Sequence, residues 1–108
     1  MFDELLELNA RAAADGNYET AYHLLMAALH CVERAGDDVT PLDRLAAVAR
    51  KQGAEIEALS PIHHLSRRHA EARGQTAVFD SFLAHVEAVR LRMESQQQRR
   101  KLRTLPSA

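Results

Sequence analysis

The chain has 108 residues and a net charge of −1, with 46% hydrophobic and 27% charged residues. That length fits one domain, and the balance suits a folded domain rather than a disordered one. The longest apolar run, Leu24–Leu29, excludes a spanning helix, which needs about 18–20 apolar residues.

The acidic start, Met1-Phe2-Asp3-Glu4, predicts no secretory signal, so the expected compartment is the cytoplasm. Cys31 is the only cysteine, which rules out an internal disulfide and a cysteine-rich zinc site. Alanine dominates the apolar set and only five residues are aromatic, which favours closely packed helices over a β-sandwich core.

Taken in chain order, Phe2, Leu5, Leu6, Leu8, Ala12 and Ala13 stand at helical spacing and predict a helix from Phe2 to about Ala14. Asp15-Gly16-Asn17 makes a turn, because Gly and Asn accept the left-handed conformation that ends a helix. A second helix follows from about Tyr18 to Ala35. Its stripes Ala21, Leu25, Ala28, Val32 and Tyr22, Met26, Leu29 make it apolar over most of its girth, so it should be the central element.

Gly36-Asp37-Asp38 ends that helix. Thr40 is the expected cap of the third, with Pro41 at its first position and Asp43 near its positive end. Leu42, Leu45, Ala49, Gln52, Ile56 and Leu59 continue it, with Gln52 a polar interruption. Ser60-Pro61 should close it and open a short fourth helix to about Ala72, unless Pro61 only kinks one longer helix. Thr76 can cap a fifth helix whose apolar residues are Phe79, Phe82, Val86, Val89 and Met93. After Met93 the stripe ends. Residues 95–108 should be a polar, basic helical extension that frays into a disordered end, leaving 1–94 as the folded domain. No segment alternates with period two, so no strand is predicted.

Residues 5–33 carry Leu5, Leu8, Asn9 and Ala12, then Gly16-x-Tyr18 at a turn, then Ala21, Leu25 and Ala28-Leu29. This order resembles one tetratricopeptide repeat, a pair of antiparallel helices. Asn9 departs from the small residue usual at its place, and Glu33 stands where the family often has proline. A degenerate second copy at 42–65 matches through Leu42, Leu45, Ala46, Ala49 and the turn glycine Gly53, then Ala58, Ile62 and Leu65. The resemblance implies a helical hairpin bundle whose groove binds peptides. One and a half repeats fall short of the roughly three units a solenoid usually needs. The long fifth helix must then close the core, or two chains must share one, and the apolar second helix favours a homodimer.

Charge is uneven. Residues 1–40 hold eight acids and two bases, while 90–108 hold one acid and six bases: Arg90, Arg92, Arg99, Arg100, Lys101 and Arg103. Those six are the candidate partner-binding residues, for an acidic protein, a second copy or nucleic acid. The bland alternative is a solvated helix end favoured by the helix dipole. No helix-turn-helix spacing or stacking aromatic row supports nucleic acid as the first choice.

Six histidines raise the question of a metal. His23 and His30 share a helix face but stand about 10 Å apart along it, too far to chelate one ion unaided. No His-x3-His or Glu-x-x-His pair is present, so no metal or other cofactor is expected. His63-x-Leu65 resembles the His-x-Leu-Lys-Gly motif of histidine phosphotransfer domains, with Ser66 and Arg67 replacing the lysine and glycine. That resemblance makes His63 or His64 the phosphoacceptor of a signalling alternative. Cys31, inside an apolar helix, reads as an inert thiol, and no phosphate loop or nucleophile elbow occurs. The expectation is therefore an all-α bundle of about five helices, acting as a non-catalytic protein- or peptide-binding adaptor.

Overall fold

A computed structural model describes residues 1–59 and 63–104. Five helices follow in order: α1 (Phe2–Ala14), α2 (Tyr18–Ala35), α3 (Thr40–Leu59), α4 (Arg67–Ala72) and α5 (Val78–Thr104). The described residues contain no strand. No helix among them is long and apolar enough to cross a membrane.

α1 and α2 form an antiparallel hairpin. Gly16 turns the chain at φ 76°, and the Asn17 N–H donates to the Ala12 carbonyl at 2.8 Å. Asn17 then caps α2, its side chain accepting from the Thr20 N–H at 3.4 Å. Gly36, at φ 75°, ends α2 with its N–H on the Val32 carbonyl. The next start differs from expectation. Asp38, not Thr40, satisfies the opening backbone: its carboxylate accepts from the Thr40 N–H at 2.9 Å, which holds that carboxyl below the usual range. Thr40 itself is already helical.

α3 runs unbroken through Gly53. The degenerate repeat at 42–65 is thus not a second hairpin with a turn at Gly53. This glycine serves a helix contact instead, since a Cβ placed there would stand 3.4 Å from the Phe79 Cβ of α5. Ser60 and Pro61, the expected boundary, lie outside the described residues, as does Ile62. Among the described residues the fourth helix begins at Arg67. Residues 63–66 are turn and bend, and Ser66 caps α4, accepting from the His69 N–H at 3.3 Å. α3 and α4 are therefore two helices, not one kinked helix. α5 begins at Val78, two residues beyond the expected cap Thr76, and continues to Thr104. The end expected to be disordered starts at Thr104, but Thr104 is the last residue of α5; residues 105–108 lie outside the described residues.

The helices alternate up and down. α1 and α3 are parallel, joined by Arg44 on Asp3 at 2.8 Å. α2 and α5 run the other way: Tyr22 meets Phe79 near their starts, and Arg92 meets Glu33 further along at 2.9 Å. α2 is central as its pattern predicts, with Ala21, Leu25, Ala28 and Leu29 wholly enclosed. Around them close Leu6 of α1, Leu42, Leu45 and Ile56 of α3, and the predicted stripe Phe79, Phe82, Val86, Val89 and Met93 of α5. Each enclosed leucine contributes about 1.5–3 kcal/mol of apolar burial. α5 supplies the fourth wall of the core, so the apolar girth of α2 is satisfied within one chain.

One polar pair crosses this core. Asn9 on α1 and Gln52 on α3 are both buried. The Gln52 amide donates to the Asn9 Oδ1 at 2.6 Å, and the Asn9 amide donates to the Gln52 Oε1 at 3.1 Å. Asn9 also donates to the Ala21 carbonyl of α2 at 2.7 Å. The two residues that break their apolar patterns in the sequence thus satisfy each other and tie three helices together.

Candidate functional site

A groove of about 430 Å³ opens between α3 and α5. α3 contributes Ala49, Gly53, Ala54 and Ala58, none reaching beyond a Cβ. These small residues leave the space. Phe79 and Leu83, one turn apart on α5, line the other side with apolar surface. The rim is charged. Arg67 at the start of α4 donates from Nε to Asp80 at 2.8 Å and from Nη2 at 3.0 Å, a two-pronged pair. The Arg67 N–H also donates to Glu57 at 2.6 Å, which fixes α4 against the end of α3. The hydrogen bond from Arg67 holds the Asp80 carboxyl below the usual carboxylate range, against the opposing effect of burial. An apolar side chain fits such a groove, with Arg50 and Glu57 placed to meet polar groups beside it. The sequence pattern did not single out this groove. Its signal is the small residues at 49, 53, 54 and 58, which also fit a repeat register.

The structure divides the six predicted basic residues. Arg90 is mostly covered, with Asp43 of α3 and Glu87 as its ion partners. Arg92 binds Glu33 of α2. These two hold α5 onto the bundle. Arg99, Arg100, Lys101 and Arg103 are exposed and form no ion pair among the described residues. Among the described residues, the last bond from α5 to another helix or loop is at Gln97, which donates to the Asp37 carbonyl at 3.0 Å. α5 is about 40 Å long at the usual rise, and its last turns present those four cations where the helix dipole favours positive charge.

The histidine pair sits in the turn before α4 rather than on a helix. His63 is half-buried. Its Nδ1 accepts from the Leu65 N–H at 3.1 Å, and its ring meets Tyr18 edge-on at 5.7 Å. Burial first, and then the neighbouring His64, hold the His63 ring below its ordinary titration range. The two imidazoles stack at 4.5 Å, and the His64 Nε2 contacts the Glu19 carboxylate. One ring nitrogen of each histidine is therefore engaged inside the chain. Tyr18 reaches Glu55 at 3.5 Å, and burial raises its phenol above the usual range. Among the described residues, no three His, Cys, Asp or Glu side chains converge as metal ligands do. Cys31 is half-buried on α2, less enclosed than its apolar neighbours suggest.

In comparisons with known proteins, no family model matches this chain, and neither a curated protein nor a solved structure matches it.

Proposed function

We propose that this chain is a non-catalytic, cytoplasmic binding module that seats an apolar side chain of a protein or peptide partner between α3 and α5. The groove carries this reading. It is concave and apolar at its floor, and it is framed by fixed charges at its rim. Those are the features by which a groove holds a peptide side chain and orients its backbone. The tetratricopeptide resemblance of residues 5–33 agrees with a helical binding scaffold.

The test starts from peptides selected by display against the whole protein. Their affinity is then measured for wild type and two variants of exposed residues. Ala54→Trp fills the groove and should weaken binding at least about tenfold, near 1.4 kcal/mol. Ala47→Trp lies outside the groove lining and should leave affinity unchanged. Equal affinity for all three proteins would end the groove reading.

A second reading rests on Arg99, Arg100, Lys101 and Arg103, four exposed cations without ion partners among the described residues. Association with nucleic acid or an acidic protein there predicts binding that weakens steeply with salt. Removing residues 96–108 should abolish it.

A further inference from the structure

The face of α5 turned away from the bundle repeats every three and four residues. Ala84, Ala88, Leu91, Ser95, Gln98 and Leu102 are separated by 4, 3, 4, 3 and 4 positions, and all are exposed. Leu91 is 59% exposed and Leu102 60%, large apolar side chains left open to solvent among the described residues. On a helix of about 3.6 residues per turn, this stripe lies opposite the buried stripe of Phe82, Val86, Val89 and Met93. α5 thus has two seams, one inside the bundle and one outside it. A 4–3 alternation is the spacing by which two helices coil around each other.

The flanks of the outer seam state the partner. Asp80, Glu87 and Glu94 recur every seven residues along one edge. His85, Arg92 and Arg99 recur every seven along the other. In a parallel two-stranded coil, each residue of the first edge faces the residue five positions later on the second chain. The facing pairs are then Asp80 with His85, Glu87 with Arg92 and Glu94 with Arg99; the last two are opposite in charge, while Asp80 is already held by Arg67. An antiparallel pair would set the acidic edges against each other and the basic edges against each other. Glu94 and Arg99 have no ion partner within the described part of one chain. Arg92 binds Glu33 through Nη2, and its guanidinium keeps further donors.

We infer that the outer face of α5 is a homodimer interface, with a second copy of this chain packed on it in parallel through Leu91 and Leu102. The small residues Ala84, Ala88 and Ser95 let the two helices approach closely. Parallel pairing also brings the two basic helix ends side by side. The seam residues themselves do not line the groove between α3 and α5; Asp80 alone belongs to both surfaces.

Sedimentation equilibrium of the full chain should give twice the 12.1 kDa chain mass. Leu91→Glu should give a monomer with the same helical circular dichroism, because the residue is exposed in one chain. Glu94→Lys should weaken the dimer about tenfold, near 1.4 kcal/mol, and Glu94→Lys with Arg99→Glu should restore it. On a Cys31→Ser chain, Ala84→Cys and Gln98→Cys should each oxidise to a disulfide with its own counterpart. An antiparallel pair cannot form both. The inference is overturned by a wild-type monomer at every concentration, by a dimer that survives Leu91→Glu, by failure of the charge swap to restore association, or by absence of either cross-link.

Discussion

Removing one partner of the Asn9–Gln52 pair should cost far more than removing both. In Gln52→Met the new side chain has nearly the shape of the old one, but Asn9 Oδ1 loses its donor while remaining wholly enclosed. The Asn9 amide keeps only its bond to the Ala21 carbonyl. A buried polar atom without a partner costs about 1–3 kcal/mol, which sets the expected loss for this variant. Asn9→Leu should cost a similar amount, because it strands both the Gln52 amide and its carbonyl. The double variant Asn9→Leu/Gln52→Met replaces the pair with apolar groups of similar size and should return to within about 1 kcal/mol of wild type. Urea unfolding followed by circular dichroism measures all four proteins, and the coupling energy should be about 1–3 kcal/mol. If each single variant lies within about 0.5 kcal/mol of wild type, the pair does not have the structural role assigned to it.

Three other variants test particular joints. Gly53→Ala should stabilise by up to about 1 kcal/mol, since a helix interior favours alanine and Phe79 leaves room for a Cβ. Gly53→Leu should lose about 1–3 kcal/mol by forcing α3 and α5 apart, read from the urea midpoint. Ser66→Ala removes the cap of α4 and should cost about 1 kcal/mol, with the loss concentrated in hydrogen exchange of residues 67–72. His63 titrates lower in the folded chain than in the unfolded one, so the unfolded chain binds its proton first as pH falls. Stability should hold above about pH 6.5 and decline as pH falls below it, and His63→Gln should flatten that part of the decline.

The helices of this fold were legible because their buried stripes follow one simple period. Every residue predicted for the inner seam of α5, from Phe79 to Met93, is in the core. The turns at Gly16 and Gly36 were legible because positive φ is costly for any other residue. Errors cluster where one residue type serves two purposes. Gly53 has the sequence signature of a turn, but it is the place where Phe79 approaches a helix. Thr40 suits a cap, but Asp38 reaches the free N–H first. Asn9 and Gln52 each look like a fault in an apolar pattern. Only their meeting, 43 residues apart in the chain, makes them a pair.

The candidate site was less legible for the same reason. A basic run shows where charge accumulates, but not which charges are spent inside the fold. Arg90 and Arg92 sit among the core residues of α5, and each is one helical turn from a buried side chain. Such positions lie within reach of Asp43 on α3 and Glu33 on α2, so those two arginines fasten the helix. From Arg99 onward no core residue follows on α5. Four of the six predicted cations are thereby left without an ion partner among the described residues, and only the arrangement of the neighbouring helices separates them from the other two. The outer seam of α5 was hidden in a related way. Its alanines, serine and glutamine are ordinary surface residues, and Leu91 and Leu102 alone stand out. Once the inner seam is fixed, the outer one is defined as its opposite face, and the charges beside it acquire a register.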